Sequence, residues 1–135
     1  MSAKQLDFLA YKVIELSARI NFVKDEPDAR RIMQASFDAR RVEASDDKSS
    51  LMLLLRATLN FLRLDDGGQP QSEPEVTAVC SYLIEAKDDC YDQKALVQQI
   101  WPYMRGSLVA QIGALGLDLS STMPFDFDPS ELNAN

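Results

Sequence analysis

The chain has 135 residues, 46% of them hydrophobic, which suits a single domain with a packed core. Its 21 acidic and 14 basic residues leave a net charge of −7, and this excludes nucleic-acid backbone as the main partner, since such binding rests on clustered cations. There is no histidine, so the commonest general base and metal ligand is missing and an enzyme is not expected; no run approaches the ~20 apolar residues of a membrane helix, so no membrane insertion is expected either.

The first segment, Leu6 to Phe22, fits two periods. Leu6, Leu9, Ala10, Val13, Leu16 and Ile20 form a helical stripe, whereas Ile14, Leu16, Ala18 and Ile20 alternate with Glu15, Ser17, Arg19 and Asn21 as in a strand. Asp7 lies within this first apolar run and no signal-peptide pattern precedes it, so a cytoplasmic protein is expected. A charged connection containing Pro27 follows. From Met33 the alternation is clean, with Ala35, Phe37 and Ala39 opposed by Gln34, Ser36, Asp38 and Arg40, as in a half-buried strand.

After a polar turn at Asp46 to Ser50, the run from Leu51 to Leu64 begins apolar on both faces and resolves into alternation: Leu55, Ala57, Leu59 and Phe61 against Arg56, Thr58 and Asn60. Asp65-Asp66-Gly67-Gly68 signals a hairpin loop, not a phosphate cradle, because no lysine and no helix follow it. Val76, Ala78, Cys80, Tyr82 and Ile84 mark a fourth strand. Cys80 there is expected to be a small buried hydrophobe, and Cys90 lies among Asp88, Asp89 and Asp92, whose charge disfavours a thiolate. The two cysteines lack zinc-site spacing, and the paired aspartates Asp46-Asp47, Asp65-Asp66 and Asp88-Asp89 read as solvated turn residues.

The period then changes. Leu96, Val97, Ile100, Trp101, Met104, Leu108, Ile112 and Leu115 step by three and four, as on one helix face, with Gly113 and Gly116 as possible stops. Pro102 interrupts this stripe: either the main helix begins within a turn of it, or a short helix bends into a longer one there. The tail's last strong apolar group is Met123, Pro124, Phe125 and Phe127, and residues beyond 128 are expected to be flexible. Strands roughly over 11–22, 33–43, 51–64 and 75–85 followed by a helix roughly over 95–115 make one α+β domain spanning 1–135. One helix leaves apolar sheet surface uncovered, which points to oligomerisation.

Ile100-Trp101-Pro102-Tyr103-Met104-Arg105, then an apolar helix and Leu117-Asp118-Leu119, resembles the pattern of the SecB-like export chaperone superfamily, in which an aromatic residue, Pro-Tyr, any residue and Arg open the main helix. Met123-Pro124-Phe125-Asp126-Phe127 is similar to the segment that follows in that family, and Leu55-Arg56-Ala57-Thr58-Leu59 is similar to its third strand. The resemblance implies a four-stranded antiparallel sheet covered by a C-terminal helix, and it makes the first segment a strand. The chain stops soon after Phe127, so the family's second helix is expected to be shortened or absent.

The resemblance further implies an ATP-independent chaperone without cofactors, assembled as a homodimer or homotetramer, that holds unfolded or precursor polypeptides along apolar grooves. Some relatives serve toxin–antitoxin systems instead of export. The alternative is a SecB-shaped interaction module with one dedicated protein partner. Ser17 and Asn21 stand where export members carry acidic residues for the motor ATPase, and Glu75 aligns only loosely with a further acidic position; this weighs against binding to that motor. Candidate client-binding residues are Phe22, Ile32 and Met33 on the connection after the first strand, with Leu119, Met123, Phe125 and Phe127 on the tail. Each has the plainer alternative of capping sheet and helix. Trp101, Pro102, Tyr103 and Arg105 are the family-motif residues, expected in the core or at a subunit interface, with Arg105 pairing a carboxylate or capping a loop carbonyl.

Overall fold

Alternating side chains build four strands: β1 (Phe8–Ile20), β2 (Arg31–Val42), β3 (Leu51–Arg63) and β4 (Val76–Ala86). They are followed by one long helix, α1 (Gln93–Gly113), and a short 3-10 turn, Ser120–Thr122. The computed structural model describes residues 8–23, 29–42, 51–86 and 92–125. Phe127 and the tail beyond 128 lie outside the described residues.

The strands form one antiparallel sheet in the order β1-β4-β3-β2, so the two strands first in sequence are its edges. Register puts the apolar set of every strand on one face. Leu16, Cys80, Ala57 and Phe37 share a row across the sheet, as do Ile20, Val76, Phe61 and Met33. The opposite face is polar along most of its length: Arg19, Thr77, Asn60 and Gln34 make one row, and Glu15, Ser81, Arg56 and Asp38 another. Near the far end of that face, Leu83 and Leu54 lie side by side between Lys12 and Arg40.

β1 owes its double periodicity to a register shift between Val13 and Glu15. Ile14 is the extra residue, and it moves Tyr11 and Val13 onto the same face as Leu16, Ala18 and Ile20. A strand with such a bulge no longer alternates strictly, and the stretch before it mimics a helical stripe. The strand also begins at Phe8, earlier than its pattern suggests.

The helix stripe covers the apolar face. Leu96, Val97, Ile100, Trp101, Met104, Leu108 and Ile112 are buried in the core, and the helix lies over β1 and β4. Pro102 lies well inside a continuous helix, so α1 runs on through the residue without a hydrogen bond donated there. Asp92 caps the start by accepting from the Lys94 N–H at 3.1 Å. Past the C-terminus Gly116 takes φ +86°, a left-handed conformation that turns the chain back toward the sheet.

Cys80 sits in the sheet centre with no exposed surface. Burial, with a lesser push from the Glu15 charge, drives its thiol up to about 12. In a Cys90→Ser variant, the remaining thiol is expected to release no thionitrobenzoate from Ellman's reagent until urea unfolds the chain. Rapid release from the folded protein would contradict this placement.

Candidate functional site

The segment leaving β1 carries Asn21, Phe22 and Val23 past the end of the sheet, beside the β3–β4 connection. The Asn21 amide N–H donates to the Glu75 carbonyl at 2.7 Å, and its side-chain Nδ2 donates to the Pro74 carbonyl at 3.0 Å and to Thr77 Oγ1 at 2.9 Å. Beside these bonds lies an open groove of about 560 Å³ lined by Phe22, Val23, Gln71, Ser72 and Glu73. Val23 is 88% exposed and Phe22 half-buried. An apolar side chain this exposed beside polar neighbours can take up the side chain of another polypeptide.

Beneath the groove lies a buried ionic cluster. Glu75 accepts from Arg31 Nε at 2.5 Å through one carboxylate oxygen and from Arg63 Nε at 2.8 Å through the other. Burial alone would raise the Glu75 pKa, but the hydrogen bonds and positive charges of both arginines more than reverse this and lower it. The carboxylate is thus committed inside the fold and is no surface docking position.

A second apolar site follows the helix. The tail from Leu117 to Phe125 lies along α1 and packs against β2 through its 3-10 turn. Trp101 Nε1 donates to the Pro124 carbonyl at 2.8 Å. Arg105 donates through Nε to the Met123 carbonyl at 3.2 Å and through a terminal nitrogen to the Ser120 carbonyl at 3.0 Å. The Arg105 guanidinium also sits 4.0 Å from the centroid of Phe125, whose ring is 74% exposed.

The candidate residues therefore separate. Phe22 lines the groove, Ile32 pairs with Leu62 on the far face, and Met33 packs on the core beside Phe61. Leu119 and Met123 are only 5% and 2% exposed, so in this conformation they cap the core. Trp101 is buried, Pro102 and Tyr103 are exposed, and Arg105 caps carbonyls, not a carboxylate. Tyr103 meets Tyr11, which stacks on Tyr82 with centroids 5.2 Å apart. Val23 joins the site without a sequence signal, because it follows the alternating run and has no period of its own.

Among the described residues, no group of three or more Cys, Asp or Glu gathers to hold a metal ion, and no helix is long and apolar enough to cross a membrane. No family model and no curated protein matches the chain. Among solved structures, it matches a SecB-like chaperone from Mycobacterium tuberculosis, in complex with a ChAD peptide from the HigA1 antitoxin, with a TM-score of 0.59 over 84% of this chain and 85% of that one. This is the SecB-like fold. At 14% identity the likeness is one of architecture, and the SecB-like arrangement of sheet and helix is reached with largely different side chains.

Proposed function

We propose that this chain is an ATP-independent chaperone that binds non-native polypeptide in the cytoplasm, as a homodimer or homotetramer. The observation that carries the reading is the open groove in which Val23, 88% exposed, stands beside Phe22 and the polar rim Gln71 to Glu73. Apolar contact there supplies affinity with little sequence preference, as a chaperone requires. The SecB-like fold supports it, and Phe125, held outward over Arg105, offers a further apolar contact.

A dedicated partner is the second reading, favoured by the antitoxin peptide bound to the mycobacterial neighbour. Co-elution with several unrelated, reduced polypeptides, monitored by light-scattering mass, separates the two. Retention of several supports a chaperone and reports the oligomer in the same run; passage of all of them by a folded protein sinks general holdase function. Val23→Ser is expected to leave stability within about 0.5 kcal/mol, because the side chain is already in water, and to weaken client retention about fivefold. Unchanged retention would remove the groove from the site.

A further inference from the structure

The end of β1 that lies away from the Phe22 groove is held by tyrosines. Register shifts fall on both sides of it, between Phe8 and Ala10 and between Val13 and Glu15, so its ladder to β4 is irregular there. The second shift turns Tyr11 onto the helix side of the sheet. There its ring stacks on Tyr82, with centroids 5.2 Å apart and planes at 8°, and meets Tyr103 of α1 at 5.1 Å and 45°. Tyr11 is 41% exposed and Tyr103 45%, whereas Tyr82 is buried. The Tyr82 hydroxyl donates to the Tyr103 carbonyl at 3.1 Å and shares a hydrogen bond with Ser107 Oγ at 2.8 Å.

Two phenols side by side at the surface form a reactive pair toward one-electron oxidants. Each can lose an electron and a proton, and the resulting radicals pair by forming a bond between ring carbons beside the hydroxyls. Radicals in solution must meet by diffusion, but these two rings are already in contact. The third ring is placed differently. Tyr82 offers Tyr11 its face in a nearly parallel stack, and its hydroxyl is bonded inside the fold. Burial, only partly offset by the Ser107 bond, also pushes its pKa up and so disfavours loss of the proton.

We propose that Tyr11 and Tyr103 are a site of oxidative modification, at which a one-electron oxidant joins them as an intramolecular dityrosine. With a haem peroxidase and hydrogen peroxide, one peroxide takes an electron and a proton from each phenol and leaves as two waters. The two radicals form one carbon–carbon bond. Each bonded carbon then gives up its hydrogen as a proton, a proton returns to each oxygen, and both phenols are restored. The chain ends two hydrogens lighter. The bond ties the irregular end of an edge strand to α1 and closes a long loop of chain, so the oxidised protein resists unfolding more than the untreated one. Because the site lies at the opposite end of β1 from the groove, it holds whether or not the groove binds clients.

The test uses the full chain carrying Cys90→Ser and Tyr91→Phe, since both residues lie outside the described ones and could react in their own right. Peroxidase with peroxide is expected to give dityrosine fluorescence and a mass lower by two hydrogens, on a chain that runs as a monomer in denaturing electrophoresis. Proteolysis should yield one peptide joining the Tyr11 and Tyr103 segments. Adding Tyr11→Phe or Tyr103→Phe should abolish that product, while Tyr82→Phe should keep it. The urea midpoint of the oxidised chain should rise. A product joined between chains, a peptide linking any other pair, an equal yield from the urea-unfolded chain, or no dityrosine from the folded one would each overturn the assignment; an unmoved urea midpoint would overturn the lock. Should Tyr82→Phe not fold, the peptide map of the double variant decides alone.

Discussion

Glu75→Gln is expected to destabilise the fold by about 3–5 kcal/mol, a large part of a typical domain's stability. The carboxylate is the shared partner of two guanidiniums, and the side chains of Glu75, Arg63 and Arg31 are only 7%, 3% and 19% exposed. An amide in its place removes the negative charge that Arg31 and Arg63 share. The damage spreads because the cluster ties three strands. Arg31 opens β2, Arg63 closes β3, and Glu75 leads into β4 while its own N–H donates to the Phe61 carbonyl at 2.9 Å. β1 joins through Asn21, which donates to the Glu75 carbonyl.

The pH dependence follows from the sign of the shift. The folded pKa of Glu75 lies below the ordinary 4.5, so its stabilisation is fully present above that value and is lost as pH falls through the folded pKa. Urea unfolding at pH 7 and at pH 3 checks both points: the gap between wild type and Glu75→Gln should be wide at pH 7 and should narrow at pH 3. A gap that stayed constant would show that the carboxylate charge does not matter. Replacing the whole cluster, Arg31→Met with Arg63→Met and Glu75→Leu, should cost less than Glu75→Gln alone, since the three charges that meet here are removed together.

This cluster also marks the limit of what the sequence makes legible. The alternation of β2, β3 and β4 can be read residue by residue, because each strand buries one face against one helix and the side-chain period is two. The stripe of α1, stepping by three and four, is equally plain. β1 is not, since one extra residue at Ile14 breaks the period, and only the resemblance to SecB-like chains makes it a strand. Side-chain bonds to distant carbonyls leave no periodic trace at all. Nothing in the order of residues says that Arg105 would clasp the Ser120 and Met123 carbonyls, or that Glu75 would be claimed by Arg31 from across the sheet. For that reason the sequence leaves Leu119 and Met123 between client binding and capping of sheet and helix, whereas in the fold they are buried in the core.

The same clasp makes Trp101 the most consequential residue of the helix. Its ring has no exposed surface and meets Phe37 edge-on, with centroids 5.9 Å apart and planes at 89°. Its Nε1 fixes the tail through the Pro124 carbonyl. Trp101→Ala is expected to cost about 3–5 kcal/mol, through lost burial and the cavity left between helix, β2 and tail. Trp101→Phe separates the two roles, because it keeps most of the apolar packing and removes only the donor. A loss of about 1 kcal/mol is expected there, as for one hydrogen bond whose acceptor can turn to water. Urea denaturation of the two variants gives the comparison. If Trp101→Phe were as damaging as Trp101→Ala, the bond to Pro124 would dominate; if its cost is as small as expected, the packing of the ring against Phe37 and the core carries most of the residue's contribution.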